Sequence, residues 1–141
     1  MTGVQTCALP ISIITSTGKL LVADTDNNRI LVWSTMPTST GASASYAIDL
    51  GADAWPWGIW SDGTRVAATL TGKGRISFWN TFPTSGTEQP SFSIDSSASS
   101  CIGTPRGLVS NGTVLMTGDH NAKCGDEKVL HVYTKIGRAH V

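Results

Sequence analysis

The stretch RILVWSTMPTS, residues 29–39, returns as RISFWNTFPTS at residues 75–85, which begins 46 residues later. A second block repeats at the same interval, because YAID at residues 46–49 is followed by FSID at residues 92–95. Two separate blocks that recur at one interval indicate tandem copies of a single structural unit. This repetition, more than any single motif, determines the fold that the sequence predicts.

A third block, PWGIWSDGT at residues 56–64, returns as PRGLVSNGT at residues 105–113. Each copy contains a tight-turn dipeptide, Asp62-Gly63 in the first and Asn111-Gly112 in the second. We expect type I′ turns here, because both central residues of such a turn need a positive φ and these residue types tolerate it. Each turn then joins the first strand of a repeat to the second.

Every repeat divides into four short strands. The first strands are predicted at 57–61 and 107–110, the second at 65–69 and 114–117, the third at 29–33 and 75–79, and the fourth at 46–49 and 91–95. Four short antiparallel strands per repeat form one blade of a β-propeller. The sequence therefore predicts an all-β chain.

The predicted blades are nearly three in number. An incomplete first blade covers residues 12–54, a second covers 55–100, and a third, at 101–135, lacks its last strand. A closed propeller needs roughly four to eight blades. We therefore expect an open arc, not a closed ring, with exposed edges that associate.

One family resemblance is specific enough to name. KLLVADTDNNRILVW, residues 19–33, resembles the core of an NHL repeat, whose pattern runs P-x-G-I, then D-G, then V-A-D-x-x-N-N-R-I-x-V-F/W. The likeness covers nearly all of residues 12–135. It departs at residues 67–74, where Asp and Asn are expected, and at 118–127, which form a longer loop. The resemblance implies an NHL-like β-propeller.

The two ends share no pattern with the repeats. Residues 5–11, QTCALPI, can be encoded by CAGACGTGTGCTCTTCCGATC, and residues 136–141, IGRAHV, by the reverse complement of a stretch inside it. Both resemble translations of a short-read sequencing adapter. A weak signal peptide is the alternative for the first end, but it lacks a basic n-region and a cleavage site. We expect residues 1–11 and 136–141 to be adapter-derived and non-native.

Composition limits the classes of partner. The chain has 10 Lys and Arg against 10 Asp and Glu. This balance offers no basic face for nucleic acid. No apolar run approaches the roughly 18 residues of a membrane helix, and no motif indicates a cofactor.

Two equivalent positions differ between the repeats. Trp57 and Arg106 both stand at the start of the innermost strand, where the central channel of a propeller opens. The resemblance implies that ligands are often held at such a mouth, so these two residues are the best candidates for binding, with ordinary rim residues as the alternative. Trp33, Trp79 and Tyr133, in contrast, recur at equivalent positions and are expected to pack between blades.

Cys101 and Cys124 lie in loops that blade topology places on one face. Cys101 precedes the first strand of the third unit, and Cys124 lies between its second and third strands. The pair predicts a disulfide, with two free thiols or a metal or redox site as alternatives. A disulfide in a Ser/Thr-rich chain favours an oxidising location: secreted, periplasmic or cell-surface.

The loop after the second strand of the third unit offers weak metal candidates. Asp119 and His120 lead this loop, and Cys124, Asp126 and Glu127 follow. Their side chains suit a transition metal, but the spacing matches no recognised site, so a solvated loop is the simpler interpretation. We expect no metal.

The sequence favours a non-enzymatic propeller fragment that binds a protein or a glycan, because varied loops on a repeated scaffold are suited to recognition. The alternative is a fragment of a propeller enzyme, a lyase or hydrolase, whose metal and catalytic residues lie in missing blades. No catalytic residue is assigned.

Overall fold

A computed structural model of the chain describes residues 11–125 and 129–134. Within these described residues, eleven strands form three antiparallel sheets, which follow one another along the chain. The first sheet contains β1 (Ser12–Ile14), β2 (Leu20–Asp24), β3 (Arg29–Trp33) and β4 (Tyr46–Asp49). The second contains β5 (Pro56–Ser61), β6 (Val66–Leu70), β7 (Arg75–Trp79) and β8 (Phe92–Asp95). The third contains β9 (Pro105–Ser110), β10 (Leu115–Asp119) and β11 (Val129–Tyr133).

Neighbours in the chain are neighbours in each sheet, so every sheet is a meander. The described sheets do not close into a ring, and the third has three strands. The predicted all-β open arc of nearly three blades is therefore confirmed. The described residues include no helix with the length and apolar content needed to cross a membrane.

The predicted adapter-derived segments fall almost wholly outside the described residues. The exception is Ile11, whose carbonyl oxygen accepts a hydrogen bond of 2.8 Å from the Ala23 N–H of β2. Asp126 and Glu127, named above as weak metal candidates, also lie outside the described residues.

The middle sheet is covered on both faces. All five residues of β6 are buried, whereas burial alternates along β2 and along β10. A strand with one covered face alternates, and a strand with two covered faces does not. The second sheet therefore lies between the other two, as consecutive blades of a propeller do.

Two apolar clusters fill the spaces between the sheets. Between the first and second sheets lie Leu21, Ala23, Ile30, Val32, Ile48, Ile59, Val66, Ala68, Leu70 and Trp79. Between the second and third lie Trp60, Ala67, Ile76, Phe78, Ile102 and Leu115, with Tyr133 packed against them. Trp79 and Tyr133 thus occupy the predicted packing positions, while Trp33 is half-buried and lies outside both clusters.

The hairpins that join the first and second strands differ from the prediction. Only the glycines have positive φ, +90° at Gly63 and +93° at Gly112, so type I′ turns were a wrong expectation. The Asp62 carboxylate instead accepts backbone hydrogen bonds from residues 64 and 65, and Asn111 accepts the equivalent pair. These side chains stabilise a longer loop by substituting for backbone acceptors.

The outer face of the third sheet is apolar and exposed. Val109, Met116 and Val132 lie side by side across its three strands, and Leu130 lies beside them on β11. Their exposed fractions range from 38% at Met116 to 61% at Val109. A face of this composition is normally covered by another layer of structure.

We predict that the chain self-associates through this face. Leu130→Thr with Val132→Thr retains strand-forming residues but removes apolar contact, so the double variant is expected to be mainly monomeric where the parent is oligomeric. Size-exclusion chromatography with light scattering measures the difference. Met36→Thr, which changes an exposed apolar residue in the loop between β3 and β4, serves as the control and leaves association unchanged. A monodisperse monomer of the parent chain contradicts the prediction.

Candidate functional site

The structure brings the two predicted binding candidates together. The Arg106 guanidinium carbon lies 4.8 Å from the centroid of the Trp57 ring. This is within the range of a cation–π interaction. The second residues of two adjacent inner strands, β5 and β9, thus contact each other across the boundary between two sheets.

A cavity of about 440 Å³ opens beside this pair. It is lined by Thr25, Asp26, Trp55, Trp57, Thr71, Gly72, Thr104 and Arg106. These residues come from loops entering inner strands and from loops between second and third strands, in three successive sheets. Such loops share one face of a propeller, so the cavity is a depression in that face.

Two threonines that line the cavity form equivalent hydrogen bonds to proline carbonyl oxygens. Thr25 Oγ1 donates to the Pro56 carbonyl oxygen at 2.7 Å, and Thr71 Oγ1 donates to the Pro105 carbonyl oxygen at 2.6 Å. Each bond runs from the end of a second strand to the start of the next sheet's inner strand. The repeated bond places Trp57 and Arg106, which follow the two prolines, at equivalent positions.

Trp55 stands at the entrance of the cavity, and sequence reasoning did not single it out. Its side chain is 51% exposed, and its backbone adopts the left-handed region with φ +45°. That conformation is a true outlier for a bulky residue and persists only where surrounding contacts enforce it. The signal in the sequence is the Trp-Pro-Trp run, in which Trp55 precedes the repeated proline.

Contacts from both neighbouring loops hold Trp55 in place. Its N–H donates to Asn28 Oδ1 at 3.1 Å, and its carbonyl oxygen accepts from the Thr71 N–H at 3.1 Å. Gly72 packs so closely that a Cβ there would lie 2.2 Å from the Asp53 carbonyl oxygen. Only glycine fits this position, so the Trp55 loop packs tightly against the loop after β6.

The charges at the cavity are of both signs. Asp26 lies at the end near the first sheet, and the exposed Arg106 lies at the end near the third. Among the described residues, no hydrogen bond or ion pair engages the Arg106 guanidinium, whose one contact is with the Trp57 ring. Its N–H donors are thus available to a ligand.

Cys101 and Cys124 form a disulfide with their Cα atoms 5.0 Å apart. The same loops are joined by a backbone hydrogen bond of 2.8 Å from the Lys123 N–H to the Cys101 carbonyl oxygen. The disulfide therefore joins the loop that enters β9 to the loop that follows β10, on the face that contains the cavity. Free thiols and a metal or redox site, the two alternatives, do not fit a bonded pair.

Asp119 is buried and engaged in structure. Its carboxylate accepts hydrogen bonds from the N–H groups of Gly103, Thr104 and Asn121, and Nε2 of His131 lies 3.1 Å from Oδ2. Burial acts to raise the pKa of Asp119, but these hydrogen bonds outweigh it and hold that pKa below its usual value. Asp119 thus joins the loop before β9 to the strand β10.

His120 is exposed on the same loop. It follows the second strand, as Thr25 and Thr71 do in the first two sheets. The described residues contain no group of three or more His, Cys, Asp or Glu side chains that could hold a metal ion. Asp119 and His120 are adjacent in sequence, but Asp119 is directed to backbone donors.

The lowered pKa of Asp119 predicts a specific loss of folding stability in acid. Its pKa in the folded protein lies below the unfolded value of about 3.9, so its stabilising effect is complete above that value and is lost as the pH falls through the folded pKa. We expect Asp119→Asn to lower the free energy of unfolding at pH 7 by about 2 kcal/mol. We also expect its stability to fall less steeply than the parent's in acid.

Urea unfolding from pH 7 to pH 2, in the Leu130→Thr, Val132→Thr background, measures both effects. Asp53→Asn, the same substitution at an exposed aspartate, is the matched control. Parallel pH profiles for the parent and Asp119→Asn would contradict the assigned role of the carboxylate.

No protein-family model and no curated protein matches this sequence. Among solved structures, a Bacteroides uniformis protein that carries the provisional name 6-phosphogluconolactonase is similar, with a TM-score of 0.65 at 16% sequence identity. The similarity covers 89% of this chain and 37% of that protein, so the chain spans little more than a third of its neighbour's length. At this identity the likeness shows the fold alone, a propeller-like series of antiparallel sheets.

Proposed function

We propose that the chain is part of a non-enzymatic NHL-like β-propeller, which binds a ligand in the cavity between Trp55, Trp57 and Arg106. The observation that carries this proposal is Trp55, a half-exposed tryptophan held in a strained backbone conformation by hydrogen bonds from two other loops. Strain of this kind persists where a side chain must be presented in one direction. Rigid aromatic side chains are frequent anchors of binding surfaces.

The repeat boundaries remain part of the proposal, with blades at residues 12–54, 55–100 and 101–135. Recurrent hydrogen bonds support them. The Ser34 and Asn80 N–H groups donate to the hydroxyls of Ser45 and Ser91, at 3.0 and 2.9 Å. Equivalent bonds at equivalent positions indicate copies of one unit, as in NHL-like repeats.

An extracytoplasmic location, secreted, periplasmic or at the cell surface, is also proposed. It is supported by the disulfide between Cys101 and Cys124. Disulfides persist in oxidising compartments and are rare in the reducing cytosol.

A propeller enzyme is the second candidate, favoured by the enzyme name of the Bacteroides uniformis neighbour. In that case the lyase or hydrolase residues would lie in blades that this chain does not contain. Hydrolysis of 6-phosphogluconolactone above the uncatalysed rate by a longer form of the protein that contains those blades would favour the enzyme over the binding module.

Arrays of oligosaccharides and of peptides test the binding function. We expect the chain to bind members of one array, and Trp55→Ala to weaken that binding roughly tenfold or more, because truncation of a central aromatic anchor is costly. Met36→Ala is the matched control, since it alters a side chain of similar exposure, 42%, in a loop at the opposite face. The proposal fails if neither array is bound, or if Trp55→Ala binds as the parent does.

A further inference from the structure

We propose that the ligand of this face is an acidic oligosaccharide, one whose sugar rings carry carboxylate groups, as uronic acids do. The inference rests on the proposed binding function and names the class of its ligand. It follows from a second cavity that adjoins the first, and from the side chains that line the two together.

The second cavity has a volume of about 340 Å³. It shares Thr71, Gly72 and Thr104 with the first cavity, so the two are neighbouring compartments on one face. A depression of this extent, with two compartments, suits a chain of several linked units better than a single small molecule.

The first compartment provides aromatic surface. Arg106 covers one part of the Trp57 ring, whereas Trp55 is exposed and rigidly held. The C–H groups of a sugar ring pack on such an indole face, and the indole offers a large apolar area at a small entropic cost. Asp26, in the same compartment, is a suitable acceptor for sugar hydroxyls.

Cations line the rest of the depression. Arg106 belongs to the first compartment, and Lys73 and Lys123 belong to the second. Lys73 Nζ donates to the Leu50 carbonyl oxygen at 2.7 Å, and Leu50 lines neither compartment, so Lys123 is the ammonium without a hydrogen bond among the described residues of the second compartment. A guanidinium and an ammonium in one depression are matched by carboxylates, to which charge-assisted hydrogen bonds are strong.

Two hydroxyls in the second compartment lack partners. Ser96 Oγ and Thr104 Oγ1 are buried, and neither forms a hydrogen bond with the described residues. Buried polar groups are normally satisfied. Because both oxygen atoms have almost no accessible surface, they lie behind the lining of this compartment and are not contact points for a ligand.

Other ligand classes fit less well. A nucleic acid needs a row of cations along its backbone, and the near-neutral chain has no such row. A neutral glycan would use Trp55 but would leave Arg106, Lys73 and Lys123 without a counter-charge. An acidic peptide would form ion pairs with these cations, but its binding would not require the exposed indole face of Trp55.

Titration of the full chain, immobilised on a biosensor surface, with tetragalacturonate tests the inference. The matched probe is the same tetrasaccharide after reduction of its carboxylates to alcohols. We expect tetragalacturonate to bind about tenfold more tightly than the reduced form, because a charge-assisted hydrogen bond is lost with the carboxylate. Added salt should weaken the binding of tetragalacturonate alone.

Substitutions of lining residues test whether the preference for tetragalacturonate arises at this depression. Arg106→Gln and Lys123→Gln are each expected to weaken tetragalacturonate roughly tenfold and to leave the reduced probe unchanged. Lys19→Gln removes the same charge from the loop between β1 and β2, at the opposite face, and has no effect. Trp55→Ala weakens both probes.

The outcomes separate the two proposals. Equal binding of both tetrasaccharides, lost in Trp55→Ala, would overturn the acidic class and retain the binding function. Binding of array peptides without either tetrasaccharide would do the same. If no probe of any kind binds, both proposals fall.

Discussion

The hydrogen bond from a threonine hydroxyl to a proline carbonyl, repeated at Thr25–Pro56 and Thr71–Pro105, is the interaction on which the rest of the structure depends. It joins the residue that directly follows a second strand to the first residue of the next sheet's inner strand. Both bonds are buried, and a buried carbonyl without a donor costs about 1–3 kcal/mol. The bond therefore sets how consecutive sheets meet at the face that carries the cavity.

Packing and site geometry both follow from this connection. With the inner strands held side by side, alternate residues of β6 are directed to opposite sheets, so the middle sheet is buried on both faces. The residues after the two prolines, Trp57 and Arg106, are brought into contact at the same face. The depression thus results from the stacking of consecutive sheets, and the residues of the loops provide the side chains that a ligand would contact.

Much of the fold could be predicted because each repeat contains short sequence blocks that predict its individual strands. The Arg-Ile-x-Val/Phe-Trp block predicts a short strand, and β3 and β7 begin and end where it does. The hairpin at Asp62 was harder to predict, because the same dipeptide serves either a two-residue turn or a longer loop closed by its own carboxylate. That choice depends on strand register, which local sequence does not determine.

The site was only partly predictable for a related reason. Trp57 and Arg106 could be found because the repeats align them and their residue types differ. Trp55 could not, because its role depends on a left-handed backbone enforced by Asn28 and by the close approach of Gly72, both distant in sequence. The orphaned hydroxyls of Ser96 and Thr104 are likewise evident only once two loops are folded together.

The most direct test of this account is the free energy of unfolding of Thr71→Val, which replaces the hydroxyl by a methyl group of the same shape. Urea unfolding in the Leu130→Thr, Val132→Thr background is expected to show a loss of about 1–3 kcal/mol, because the Pro105 carbonyl is left without its donor. Thr38→Val, at an exposed threonine in a loop, should show almost none. Equal stability of Thr71→Val and its parent would contradict the claim that the threonine–proline bond holds successive blades together.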